Sequence, residues 1–179
     1  MLLLNPVSFA EQKQMLRWAV EEYTGPVAIR YPRGTEGTEK NSAWNGNVSE
    51  CVCHRQGKDL TIVTYGTMLE NVLQAAEKLA EQNVEASVVR LMSASDFDAE
   101  QILSHAPPDA PILVVEEVCT GSGIKEALTW KIRKHIPACR VEGIDLGRNF
   151  VTHGSQQKLY QECGLDAEAI AKFAKEMLS

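Results

Sequence analysis

Long apolar stretches are missing from this chain of 179 residues, and no run approaches the roughly 18 residues that a membrane-spanning helix needs. The first six residues are too short for a secretory signal and lack its basic flank. A basic excess is missing too, because 18 Lys and Arg against 24 Asp and Glu give a net charge of −6. We therefore expect neither a membrane protein nor a nucleic-acid binder.

The motifs of a self-contained enzyme are also absent. The sequence contains no Gly-x-Ser-x-Gly elbow, no Walker loop and no Gly-x-Gly-x-x-Gly that opens a helix. Ser155 has no Asp and His partners at the spacing of a nucleophile elbow. We predict no catalytic residue in this chain.

Disulfide bonds and a metal site are not expected. The cysteines are odd in number and irregularly spaced, which favours reduced thiols in a cytoplasmic protein: Cys51, Cys53, Cys119, Cys139 and Cys163. Cys51-Val52-Cys53-His54 could be a fragment of a metal site, but no second ligand pair with zinc-like spacing follows. The alternation over residues 48–54 instead predicts a strand with both thiols on one face.

The first 34 residues predict a β-α-β unit. Ser8 to Glu11 forms a capping box, and the helix it opens runs to about Tyr23. Its apolar stripe consists of Phe9, Met15, Leu16, Ala19, Val20 and Tyr23. Residues 2–4 and 26–31 predict the two flanking strands, which such a connection makes parallel. One such unit cannot bury both faces of its strands, so the rest of its layers must come from elsewhere.

A polar, Gly-containing stretch over residues 35–46 predicts a linker, and a second series of alternating elements follows it. Thr67 to Glu70 is a second capping box, Asp98 and Asp166 open further helices, and Gly121-Ser122-Gly123 opens another. The remaining strands are predicted at residues 59–66, 84–91, 111–116 and 139–144. Residues 47–179 therefore predict an α/β domain of three layers, with a mostly parallel sheet of about five strands.

The segment from Arg30 to Gly34 is the best candidate for binding an anion. Pro32 holds Tyr31 extended, and Gly34 allows a sharp turn. Arg33 is thereby projected from the carboxyl end of a parallel strand, where open α/β sheets bind ligands. A guanidinium suits a phosphate dianion, although an ion pair with a carboxylate at a domain contact is the alternative.

Two further features have competing interpretations. Glu116-Glu117 followed by Gly121, Ser122 and Gly123 could bind a cation or an anionic effector, or could be a tight strand-to-helix turn with solvated charges. His153 could titrate near neutral pH, or could simply cap or pack near the helix start at Ser155.

Residues 25–34, Gly-Pro-Val-Ala-Ile-Arg-Tyr-Pro-Arg-Gly, closely resemble a segment of the 1-deoxy-D-xylulose-5-phosphate synthases, in the transketolase-like thiamine-diphosphate family. The resemblance continues in order through Gly66-Thr67, Val115-Glu116-Glu117, His153-Gly154 and residues 164–167, and so covers essentially the whole chain. It implies that residues 1–34 end a pyrimidine-binding domain and that residues 47–179 form the family's C-terminal domain.

The resemblance also implies a function. Such enzymes join pyruvate, after decarboxylation, to glyceraldehyde 3-phosphate in isoprenoid precursor synthesis, and the Arg matching Arg33 holds the phosphate. Arg30 and Tyr31 would support it. Thiamine diphosphate and magnesium serve the full enzyme, but their domain is not in this chain, so no bound cofactor and no catalysis are expected from the chain alone.

The resemblance implies a homodimer, with the thiamine-binding domains supplied in cis or in trans. Two other functions stay open. The chain could be a non-catalytic module for dimerisation or effector binding, or the paired subunit of a split transketolase.

Overall fold

The five-stranded sheet at the centre of the fold grows from the second series of alternating elements. In a computed structural model, the structure describes residues 1–31, 37–38, 40 and 44–179. The strands of this sheet are β3 (Cys51–Arg55), β4 (Leu60–Tyr65), β5 (Ala86–Leu91), β6 (Ile112–Val115) and β7 (Val141–Ile144). Their order is β3-β5-β4-β6-β7, and β3 alone pairs antiparallel. The predicted mixed, mostly parallel sheet is confirmed.

Helices cover both faces of this sheet. They are α2 (Met68–Ala80), α3 (Ala99–Ser104), α4 (Lys125–His135), α5 (Gln156–Cys163) and α6 (Ala167–Glu176). Alternate strand residues divide between two apolar cores, as the period of two requires. Ile62 and Val88 belong to the core of α2 and α6, whereas Val63 and Val89 belong to the core of α3 and α4. The predicted three layers are therefore present.

A second, smaller sheet precedes the large one. It contains β1 (Leu2–Leu4) and β2 (Val27–Ile29), which pair in parallel and are connected by α1 (Phe9–Glu21). The amide of Asn5 donates to the carbonyl of Met92 at 3.0 Å, and the amide of Ala94 donates to that of Leu3 at 3.1 Å. These bonds join the small sheet to the chain just after β5.

A buried ion pair fixes α1 against the large sheet. Both terminal nitrogens of Arg90, on β5, donate to the carboxylate of Glu11 at 2.8 and 2.9 Å, and neither side chain is exposed by more than 1%. The second oxygen of Glu11 also accepts from the amide of Val7 at 2.9 Å. Met15, one turn further along α1, is fully buried beside Leu4 and Met92.

The apolar stripe predicted for α1 is wrong in its orientation. Met15 is buried, but Phe9, Leu16, Val20 and Tyr23 are exposed. The ion pair explains the difference, because it directs the face of Glu11 and Met15 toward the sheet.

Candidate functional site

The connections of the large sheet create a cleft at its carboxyl edge. From β4 the chain crosses to β5 on one side, and it later returns to place β6 on the other side of β4. The carboxyl ends of β4 and β6 therefore diverge, which is where open α/β sheets bind ligands. A cavity of about 220 Å³ lies there, lined by Arg30, Tyr31, Tyr65, Gly66, Thr67, Glu117 and Gln156.

Glu117 and Arg30 join the two halves of the cleft. The guanidinium of Arg30, just after β2, donates to the carbonyl of Glu117 at 2.7 Å and lies 3.6 Å from its carboxylate. The hydroxyl of Thr67 donates to that carboxylate at 3.1 Å. Arg30 is therefore a bridge between the small sheet and the loop after β6.

Thr67 does not cap α2 through its side chain, so that predicted capping box is wrong. Its backbone is already helical, with φ −60° and ψ −22°, and its hydroxyl is bonded to Glu117 instead. Gly66 precedes it with φ +57°, a left-handed conformation that favours glycine, and this turn brings Thr67 into the cleft.

Glu116 is buried beneath the cleft, so the interpretation of a turn with solvated charges does not apply to it. Its carboxylate accepts from the Tyr65 hydroxyl at 2.9 Å and from the amides of Ile124 and Lys125 at 2.8 and 3.2 Å. Burial and this neighbouring carboxylate raise the pKa of Tyr65 well above its usual range, so the phenol keeps its proton.

The backbone amides at the helix start after Gly121, Ser122 and Gly123 are already hydrogen-bonded to Glu116. Helix α4 begins at Lys125 rather than at these residues, and Glu116 accepts from the amides at its start. A Cβ at Gly123 would collide with the Glu116 carboxylate, which accounts for a glycine there. Gly121 and Ser122 are exposed and do not line the cleft.

Glu70, in the first turn of α2, is hydrogen-bonded to Thr38 of the predicted linker. Glu70, one turn after Thr67, accepts from the amide of Thr38 at 3.0 Å and from its hydroxyl at 2.6 Å. Burial opposes ionisation of Glu70, but these bonds outweigh it and lower its pKa. Tyr31, the residue after Arg30, lines the cleft and is 62% exposed.

Sequence reasoning found some of these residues and missed others. Arg33 lies outside the described residues, and Arg30 and Tyr31 are at the cleft. Tyr65 and Gln156 were missed because nothing local marks them. Only the strand order brings Tyr65, at the end of β4, beside the end of β6, and Gln156 reaches the same cleft from the start of α5. His153 is exposed.

Neither a cluster of metal ligands nor a membrane-spanning helix is found among the described residues. Within them, no three His, Cys, Asp or Glu side chains come together as metal ligands would. None of the helices described is both long and apolar enough to cross a bilayer.

The layered sheet with a cleft between diverging strands defines an α/β domain of three layers, and comparison with known proteins identifies the family. The family described as "Transketolase, C-terminal domain" matches residues 49–170. The chain belongs to this family.

Relatives extend the match to the whole chain. The 1-deoxy-D-xylulose-5-phosphate synthase of Heliobacterium modesticaldum is 32% identical over 179 residues, and that of Gloeobacter violaceus is 33% identical over 185 residues. The two alignments cover 99% and 100% of this chain, but only 28% of either relative. The chain therefore spans less than a third of the length of these synthases.

Solved structures share the fold. One described as "Split gene transketolase, inactive beta4 tetramer" superposes with a TM-score of 0.83 and 23% identity, covering 99% of this chain and 57% of that one. A transketolase mutant from Pichia stipitis gives a TM-score of 0.73 and 21% identity, covering 99% of this chain and 25% of that one.

Proposed function

We propose that this chain is the C-terminal part of a 1-deoxy-D-xylulose-5-phosphate synthase-like transferase. The observation that carries the proposal is the match to two such synthases along 99% and 100% of the chain, which includes the small sheet as well as the large one. Residues 1–34 would end the pyrimidine-binding domain, 35–46 would be a linker, and 47–179 would be the C-terminal domain. The reaction would join pyruvate, after decarboxylation, to glyceraldehyde 3-phosphate.

Thiamine diphosphate and magnesium would belong to the complete enzyme, where the cofactor would supply the chemistry for decarboxylating pyruvate and joining it to the acceptor. The described residues do not fit them, because no cluster of metal-ligating side chains is present among these residues. Glu116 is bonded to Tyr65 and α4, and Glu117 to Arg30 and Thr67, so both carboxylates of the cleft are engaged. We infer that the cofactor binds to other polypeptide and that this chain alone is inactive.

The contribution of this chain would be a wall of the acceptor site. Arg33 would hold the acceptor phosphate, because a guanidinium can give two parallel hydrogen bonds to it. Arg30 and Tyr31 would support this contact. The Nη2 of Arg30, which donates to the carbonyl of Glu117, would also hold the end of β2 against the loop after β6, and Tyr31 would line the approach.

A turnover assay tests the proposal. The purified chain, supplied with pyruvate, glyceraldehyde 3-phosphate, thiamine diphosphate and magnesium, should give no product. Substituting the chain for the matched segment of the Gloeobacter violaceus synthase should restore turnover. Turnover by the chain alone would refute the proposed division of labour, and an inactive but folded chimera would refute the proposed reaction.

Arg33→Ala in the active chimera tests the phosphate contact. We expect KM for glyceraldehyde 3-phosphate to rise about 10-fold to 100-fold, the scale of one or two lost charge-assisted hydrogen bonds, with KM for pyruvate unchanged. Arg17→Ala, on the exposed side of α1, is the matched control and should change neither constant. An equal rise of both constants in Arg33→Ala would argue against a phosphate contact.

A paired subunit of a split transketolase is the second candidate. It is favoured by the likeness to a solved chain that is itself described as a split gene transketolase. The thiamine-binding domains would then come in trans, and turnover should appear on mixing two polypeptides. In either case we propose a homodimer in the cytoplasm. A separate effector module is less well supported, because Glu116 already takes the amides at the start of α4.

A further inference from the structure

Helix α1 carries an exposed apolar stripe on the side that faces away from its own core. Leu16 is 55% exposed and Val20 is 77% exposed, and Phe9 is exposed on the same line. At 100° per residue these three positions fall within an arc of about 40° on the helix. Polar side chains such as Lys13 and Arg17 lie beside this arc, so the stripe has a defined edge.

The stripe cannot turn inward, because the opposite side of α1 is already committed. Glu11 is held by two bonds from Arg90, and Met15 is fully buried. Turning the helix to bury Leu16 would break the ion pair and leave Arg90 as an unpaired buried charge. The exposure of Leu16 and Val20 is therefore built into the way α1 is fixed.

The small sheet beneath α1 is also incomplete. It has only two strands, and all three residues of β2 are half-buried. Parallel sheets are normally covered on both faces and contain more than two strands. Within the part of the chain that the structure describes, α1 is the helix that connects β1 and β2, and no further strand joins them. Residues 92–94 are bonded to one edge of β1, and within the described residues no strand pairs with the outer edge of β2.

We propose that the stripe of Leu16 and Val20 is an interface that packs against an apolar α/β layer of the polypeptide that this chain lacks relative to the synthases. This inference rests on the proposed function, which requires such polypeptide in cis or in trans. A second copy is the less favoured occupant. A stable dimer needs about 1,200 Å² of buried surface, more than one short stripe offers, and the small sheet would remain incomplete.

Hydroxyl-radical footprinting of the chimera with the Gloeobacter violaceus synthase tests this interface. Labelling of Leu16 and Val20 should be strong in the isolated chain and at least about 5-fold weaker in the chimera, because packed interfaces exclude water. Trp130, which is 62% exposed on α4, is the internal control and should be labelled equally in both. Equal labelling of Leu16 and Val20 in both proteins overturns the proposal.

Matched variants separate the interface from the fold. Leu16→Gln with Val20→Gln should leave the melting temperature of the isolated chain unchanged and lower that of the chimera by several degrees. Ala10→Gln with Glu21→Gln, at exposed positions at least about 80° away from Val20 around α1, should change neither. A variant pair that destabilises both proteins equally overturns the interface, because the stripe would then serve the chain's own fold.

Four other outcomes are decisive. If the isolated chain sediments as a dimer with Leu16 and Val20 protected, a second copy is the occupant and the proposal fails. If the chimera does not fold, the rest of the synthase is added to the isolated chain in trans, and unprotected residues again overturn it. Turnover is measured separately. An active chimera in which Leu16 and Val20 are still labelled would refute only the interface. A chimera in which they are protected but which is inactive would refute only the proposed reaction.

Discussion

Glu116 shows how one side chain determines the local structure around it. It is 3% exposed, and it accepts hydrogen bonds from a phenol and from two amides at the start of α4. A buried carboxylate is tolerated when its oxygens are bonded in this way, and the positive end of a helix favours it. The glycine at 123 follows from this arrangement, since the carboxylate occupies the space where a Cβ would be.

Gly123→Ala should therefore destabilise the chain. The added methyl group collides with the Glu116 carboxylate, and relieving this overlap should cost about 1–3 kcal/mol of the free energy of unfolding. Urea denaturation measures the loss. Ser122→Ala, at the exposed neighbouring position, should stay within about 0.5 kcal/mol of the parent. Equal stability of the two variants would contradict the tight contact.

Because of Cys51, the free energy of unfolding should decrease at alkaline pH. Burial, together with the neighbouring Cys53 and Glu50, raises the pKa of its thiol to about 11 from an ordinary value near 9.0. The folded state thus holds the proton more tightly than the unfolded state, so stability falls as pH rises from about 9 to about 11. At 1.36 kcal/mol per pKa unit, the loss is about 2–3 kcal/mol.

Cys51→Ala should flatten this alkaline decline in urea titrations between pH 8 and pH 11. Part of the slope should remain, because burial also raises the pKa of Cys139 and of Tyr65. Cys119→Ala, at an exposed position, should retain the full decline. A parental pH profile in Cys51→Ala would mean that another group is responsible.

At the scale of elements, the buried ion pair between Glu11 on α1 and Arg90 on β5 fixes the position of the helix on the large sheet. Removing one partner of a buried pair strands the other charge without compensation. Glu11→Ala should therefore cost about 3–5 kcal/mol in the free energy of unfolding and should speed amide exchange in α1, measured by urea denaturation and hydrogen exchange.

Two comparisons distinguish the ion pair from a general helix defect. Glu11→Leu combined with Arg90→Met removes both charges and should recover much of the loss, because apolar packing can replace a buried pair. Arg17→Ala breaks an exposed pair with Glu21 and should cost less than about 1 kcal/mol. A double variant no more stable than Glu11→Ala would show that packing, rather than the stranded charge, sets the cost.

Capping motifs in the sequence correctly predicted those helix starts at which the capping side chain bonds to an amide within three residues. Ser8, Asp98 and Asp166 each accept from an amide two or three residues ahead, as their sequence motifs indicate. Thr67 has the same motif, but Glu117 is 50 residues away in sequence and binds its hydroxyl. The start of α4 differs for a similar reason, since Glu116 rather than the glycine-rich turn satisfies it.

Long-range pairing could not be predicted from the sequence. The alternation of strands and helices predicted a mostly parallel sheet, but not the order that places β4 between β5 and β6. The cleft depends on that order. The same limit applies to α1. Its hydrophobic pattern predicted that one face would be buried, but the bond between Glu11 and Arg90, 79 residues apart, buries a different face.

At the scale of the whole molecule, the two sheets differ in their capacity to fold alone. The buried residues of both large apolar cores all come after residue 50, with Val7 packed against one of them, whereas the small sheet shares its core with Met92 and Val52. A unit of about 34 residues without disulfide bonds or a metal is too small to be stable by itself.

Two fragments test this asymmetry. Residues 47–179 should keep their far-UV circular dichroism and melt cooperatively, at a lower temperature than the full chain because Met92 loses its cover. Residues 1–46 should be unfolded. Loss of cooperative melting in the larger fragment would show that the small sheet is an integral part of one core.

The contact between Glu116 and Gly123 also makes the residue allowed at one of these positions depend on the residue at the other. A lineage that acquires a side chain at position 123 can keep the start of α4 satisfied only by retracting the acid, as in Glu116→Asp combined with Gly123→Ala, because the shorter carboxylate frees space for one methyl group. These two positions should therefore change together among homologous genes.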